Sequence, residues 1–169
     1  MNKEVAEGLK TALANEIAGE NFYTQTAENA KDDFTRNTFE HLAEDELYHI
    51  EIIMNFIKTE KAEDIKKRIL ERNPKSGMKF FGMSKNDFKE HKNKFTGDLA
   101  PYKMAIDIEI KSYNLYKELK EKAEDQKAKD FFEFLMKEEK THRIILEEAL
   151  DFLQNPEDYF LKIERWSFD

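Results

Sequence analysis

Apolar residues recur at alternating steps of three and four along most of this chain, the spacing that lines one face of an α-helix. Leu9, Leu13, Tyr23, Ala27 and Ala30 follow it and predict a first helix over about 9–31, with Glu16 and Glu20 on the same stripe. Asp32-Asp33-Phe34-Thr35 is polar, able to turn the chain and to cap the next helix. That second helix is predicted over about 35–59, where Phe39, Leu42, Ile53 and Phe56 share a face with Glu46 and His49. A third, about 99–123, presents Tyr102, Ile106, Glu109, Tyr113 and Tyr116. The fourth, about 127–154, presents Phe132, Leu135, Glu139, His142, Leu146 and Leu153 before Asn155-Pro156 stops it.

The pattern is doubled. Sliding the chain against itself by 93 positions aligns residues 10–52 with 103–145 without a gap, and 15 of the 43 pairs are identical. Among them are Glu16/Glu109, Tyr23/Tyr116, Phe39/Phe132, Leu42/Leu135, Glu46/Glu139 and His49/His142. The expected architecture is therefore all-α and built from two copies of one helical hairpin, at about 9–59 and 99–154. Two antiparallel hairpins pack with their second and third helices parallel only if a long segment returns along the bundle, and residues 60–98 are long enough for that crossover. The tail, 155–169, carries Tyr159, Phe160, Trp166 and Phe168; so aromatic a segment is expected to cover bundle surface or a partner subunit.

Composition agrees with one helical domain. Glycine (5) and proline (3), the main helix breakers, are scarce, and 14 phenylalanines argue against disorder despite 38% charged residues. A net charge of −8 points away from nucleic acid and anionic membrane as partners. The absence of cysteine excludes disulfides, thiolate metal sites and a rubredoxin-type iron centre within this sequence. The N-terminus lacks a signal-like apolar core and no apolar run approaches 18 residues, so a cytoplasmic protein is expected. His41 and His91 match nothing in the repeat and read as surface residues, as do the charge runs at 58–75 and 117–129.

The acidic residues are misplaced for a plain bundle, whose core is filled by Leu, Ile, Phe and Ala. Every helix carries a carboxylate in its apolar stripe: Glu16, Glu46, Glu109 and Glu139. Within each hairpin the two glutamates lie the same number of residues from the bend, so they face one another roughly 20 Å from it at ~1.5 Å per residue. Four carboxylates gathered in an apolar interior repel and lose hydration, at several kcal/mol each. Either most of them protonate or cations sit among them. Two divalent ions would cancel the four charges and leave His49 and His142 as neutral ligands. One Glu from each of two helices plus Glu-x-x-His from the other two is the donor set of di-iron and di-manganese carboxylate bundles.

Asn15-Glu16-Ile17-Ala18-Gly19-Glu20-Asn21-Phe22-Tyr23, Glu44-Asp45-Glu46-Leu47-Tyr48-His49, Glu109-Ile110-Lys111-Ser112-Tyr113-Asn114-Leu115-Tyr116 and Glu138-Glu139-Lys140-Thr141-His142 together resemble the rubrerythrin branch of the ferritin-like superfamily. The resemblance spans both hairpins and implies two iron ions (or manganese, or a mixed pair). It implies Glu16 and Glu109 as terminal ligands, Glu46 and Glu139 as bridging ones, and one histidine on each metal. It also implies that Asp45 and Glu138 orient the histidine of the opposite helix, and that Tyr23 and Tyr116 hydrogen-bond the ligands and assist proton delivery. Rubrerythrins usually carry a further glutamate three residues after the third-helix ligand, where this chain has Ser112; Glu20 is a candidate to replace it in part. The missing rubredoxin domain implies a separate electron-donor protein. The activity implied is that of a peroxide- or oxygen-reducing di-iron oxidoreductase acting on hydrogen peroxide or O2, as a homodimer. A ferroxidase or iron-handling protein is the alternative, and a metal-bound interaction module without turnover is a third reading.

Overall fold

The computed structural model describes residues 2–59, 98–156 and 159. They form four long helices: α1 (Lys3–Asn29), α2 (Asp33–Thr59), α3 (Ala100–Lys122) and α4 (Gln126–Gln154). Among the described residues there is no strand, and no helix is long and apolar enough to cross a membrane. The crossover lies outside the described residues except for Asp98, and so does His91; of the aromatic tail beyond Pro156 only Tyr159 is described, packing edge-on against Phe152 at 5.4 Å.

Three of the helices begin where the sequence supplies a side-chain cap. Asn2 accepts from the Val5 amide at 2.9 Å and starts α1 six residues earlier than the expected position 9. Asp32 and its repeat counterpart Asp125 perform the same task, accepting from the amides of Thr35 and Ala128, each at 2.8 Å. A side-chain acceptor at this place satisfies an amide that the helix cannot pair itself.

α1 packs along α2, α3 along α4, and α1 against α3. One contact there is very tight: a Cβ on Gly8 would stand 2.1 Å from Leu119 Cδ2. The buried stripe of α1 is Val5, Leu9, Ala12, Glu16, Gly19, Tyr23 and Ala27, which leaves Leu13, Glu20 and Ala30 on its flank. On α3 it runs through Tyr102, Ala105, Glu109, Ser112, Tyr116 and Leu119, with Ile106 and Tyr113 beside it. The buried stripes thus lie to one side of the expected ones, taking in the small residues Ala12 and Gly19 on α1 and Ala105 and Ser112 on α3.

The interior is layered. At one end Leu9, Ile53, Phe56, Phe131, Phe132 and Leu135 form an apolar block, with Phe56 and Phe131 stacked at 4.2 Å and 3°. At the other, Phe39, Leu42, Tyr102, Leu146 and Phe152 form a second. The polar layer lies between them.

Candidate metal centre

Helical phase brings the six charged residues of the stripes into that middle layer. Glu16, Glu46, His49, Glu109, Glu139 and His142 are all at most 3% exposed. The i, i+3 spacing places Glu46 with His49 on α2, and Glu139 with His142 on α4, on single helix faces. The two imidazoles stack with centroids 5.3 Å apart and planes 24° from parallel. Ligand atoms of Glu46, His49, Glu139 and His142 all lie within 4.8 Å of one another.

Both rings turn Nδ1 inward. His49 Nδ1 lies 3.1 Å from Glu16 Oε2, 3.3 Å from Glu46 Oε2 and 3.7 Å from Glu139 Oε1. His142 Nδ1 lies 3.4 Å from Glu46 Oε1, 3.5 Å from Glu139 Oε2 and 3.6 Å from Glu109 Oε1. Glu46 and Glu139 therefore each aim one oxygen at each imidazole, whereas Glu16 serves the His49 side alone and Glu109 the His142 side.

The outer nitrogens face carboxylates of the opposite hairpin: His142 Nε2 stands 3.2 Å from Asp45 Oδ2, and His49 Nε2 is 3.8 Å from Glu138 Oε2. The tyrosines also cross over. Tyr23 of α1 donates its hydroxyl proton to Glu109 of α3, and Tyr116 of α3 donates to Glu16 of α1. Ser112 is buried, and its counterpart Gly19 leaves room beside Glu46, whose carboxyl carbon lies 3.9 Å from where a Cβ would be.

Glu20 is not brought to this layer. It is half-buried and accepts from Thr24 of its own helix at 2.9 Å. Four residues advance a helix by about 40° beyond a full turn and three fall about 60° short of one, so Glu20 and Gly19 lie on opposite sides of Glu16, and it is the Gly19 side that is buried. His41 is not the surface residue its lack of a repeat partner implied: its side chain is 15% exposed, with Nε2 3.6 Å from Asp45 Oδ2. The signal for it was the four-residue spacing of His41 and Asp45 on one helix face.

Electrostatics reflect crowding. Burial raises Glu16 to about 7, helped by repulsion from Glu46. Burial and the charges of Glu16, Glu109 and Glu46 push Glu139 well above the carboxylate range. For Glu46 burial acts upward but is outweighed by the nearby Glu16, His142 and His49, which hold it at about 2. Glu109 is lowered likewise against burial, chiefly by His142. Desolvation opposes charge on both imidazoles, yet Glu138, Glu16 and Glu46 around His49, and Glu109, Glu139 and Glu46 around His142, hold both well above 6.5.

The family model described as Rubrerythrin matches residues 7–150 and, overlapping, 102–167. The chain belongs to the rubrerythrin family. No curated protein and no solved structure matches it. Rubrerythrin membership covers both hairpins and therefore every residue of the polar layer.

A metal pair fits these residues on physical grounds. Both carboxylate oxygens of Glu139 and Nδ1 of His142 are buried without a hydrogen-bond partner. Buried polar atoms left so are costly, and here they point at the space between the helices where the other donors converge. Carboxylate oxygens with imidazole nitrogens suit iron or manganese and lack the thiolates of structural zinc.

Proposed function

We propose that this protein is a non-haem di-iron oxidoreductase that reduces hydrogen peroxide or O2 with electrons from a separate donor protein. The observation that carries the reading is the division of the two central carboxylates, Glu46 and Glu139, each with one oxygen toward each histidine. Such a pair of carboxylates serves two neighbouring ions. Glu16 and His49 would complete the donors of one position, and Glu109 and His142 those of the other. Two ferrous ions held there supply the two electrons that, with two protons, convert hydrogen peroxide to water.

The protein's own groups do the rest. Asp45 keeps the Nε2 proton on the outer side of the His142 ring, which leaves Nδ1 free to ligate inward, and Glu138 stands 3.8 Å behind Nε2 of His49 with its charge favouring the same tautomer. Tyr23 and Tyr116 keep their protons at neutral pH, because burial and then the adjacent Glu109 or Glu16 charge raise both hydroxyls well above 10.0. They hold a proton at the carboxylates, where oxygen reduction consumes it. The aromatic blocks above and below keep bulk water from the layer.

Stopped-flow oxidation of the ferrous-loaded protein tests this. Peroxide should oxidise it much faster than free ferrous ion, and two metals per chain should be lost in both Glu46→Ala and Glu139→Ala. Oxidation no faster than that of the free ion overturns the activity, and retained metal in either variant overturns the ligand assignment. Fast oxidation followed by release of ferric ion moves the reading to ferroxidation.

A further inference from the structure

Internal duplication makes the two metal positions alike in their ligands, but the layer behind the ligands is not duplicated. Behind His142 stands Asp45, 3.2 Å from Nε2 and 12% exposed along its side chain. Behind His49 stands Glu138, 3.8 Å away, 26% exposed and one rotatable bond longer. The aspartate is in turn approached by His41, whose Nε2 lies 3.6 Å from the same Oδ2 that faces His142. Ninety-three residues on, the counterpart of His41 is Phe134, an uncharged side chain that packs on the apolar block.

A carboxylate that accepts the outer proton of a metal-binding imidazole fixes the ring's tautomer and orientation and makes the inner nitrogen a better donor. It does so most effectively when it is itself short, held and shielded from water. Resting on the di-metal reading above, we infer that His41 is a positioning residue which, through Asp45, makes the metal position on the His142 side the tighter of the two. The pair fills in order, the His142 side before the His49 side, and a singly loaded protein is a defined species. Asp45 transmits the effect of His41; no contact between His41 and the metal is involved.

Anaerobic titration of the metal-free protein with Co(II), followed by its visible bands and by competition with a chelator, tests the inference without turnover. The wild-type chain should bind two ions with dissociation constants about tenfold or more apart, the usual scale of outer-partner effects. Asp45→Asn should weaken the tighter step and Glu138→Gln the looser one, which identifies the sides. His41→Phe, copying the other hairpin, should bring the two constants together by weakening only the tighter step, while His41→Gln, which keeps an N–H, should preserve most of the gap. Phe134→His is the reciprocal change and should tighten the looser step. Two equal steps in the wild-type chain, or a gap that survives His41→Phe, overturn the role of His41 and leave the di-metal reading standing. Failure of the wild-type chain to bind Co(II) at all overturns that reading itself.

Discussion

Loading the metal-free protein with two divalent ions should expel protons, and the number comes from the polar layer. Each imidazole is held well above 6.5 by surrounding carboxylates, against its own desolvation, and so carries a proton at neutral pH. Glu139 carries another, raised by burial and by three neighbouring glutamates. Glu16, at about 7, carries half of one at pH 7. Glu46 and Glu109 are lowered and carry none. Binding through ionised carboxylates and neutral imidazoles removes all of these, more than two protons for two metals. The sign is fixed: protons compete with the metal, so affinity rises with pH. The logarithm of the overall constant should climb by more than two per unit near pH 7, less steeply once Glu16 ionises by itself above about 7. Calorimetry at pH 7 in buffers of differing ionisation enthalpy counts the protons directly. Fewer than about two per metal pair would mean that the empty layer already holds neutral imidazoles and ionised carboxylates, and the electrostatic argument would fail.

The same groups set the stability of the metal-free protein. The raised values of Glu16, Glu139, His49 and His142 contribute stability that is present below their unfolded values of 4.5 and 6.5 and is lost as pH rises through the folded ones. The Glu16 shift alone corresponds to on the order of 3 kcal/mol; lowered Glu46 and Glu109 act oppositely, losing their contribution as pH falls, Glu46 toward about 2 and Glu109 below its usual range. Thermal melts of the metal-free protein should therefore fall as pH rises from about 5 through 7 and beyond, and those of the loaded protein should not; a flat metal-free profile refutes this. Tyr116→Phe removes the hydroxyl that serves Glu16 and should cost about 1–3 kcal/mol in denaturant titration, with Tyr23→Phe similar through Glu109. Gly8→Ala drives a methyl into Leu119, so the ~1 kcal/mol gained by placing Ala in a helix should be offset by about 1–3 kcal/mol of overpacking. In a Leu119→Ala background the same change should become stabilising, and a double-mutant cycle without coupling would show that the two residues do not touch.

Much of the fold was legible because the sequence states it twice. Glu16/Glu109, Glu46/Glu139 and His49/His142 recur at equal distance from two bends, and no register other than a level layer satisfies both hairpins. Asp32 as a cap was legible from its type and place. Side-chain phase was less so. Glu20 and Tyr113 fit a three-four rhythm as well as Gly19 and Ser112 do, and burial falls to the latter, where small side chains fit beside the polar layer. α1 starts earlier than a stripe opening at Leu9 implies, because Val5 lies one turn before it and Asn2 is a good cap. His41 was hidden for the opposite reason: the repeat taught where to look, and His41 is where the repeat breaks.

The crosswise tyrosines have a consequence for how such a chain can be assembled. Tyr23 and Glu109 are 86 positions apart, Tyr116 and Glu16 are 100 apart, and each bond joins one hairpin to the other. A lone hairpin thus holds a phenol with no carboxylate to serve and a carboxylate with no phenol. Two identical hairpins related by a twofold axis would satisfy both at once, so a half-length chain has a reason to pair with its own twin before any fusion joins them. Separately produced halves, mixed together, inherit that mutual need as the force that selects the right partner face.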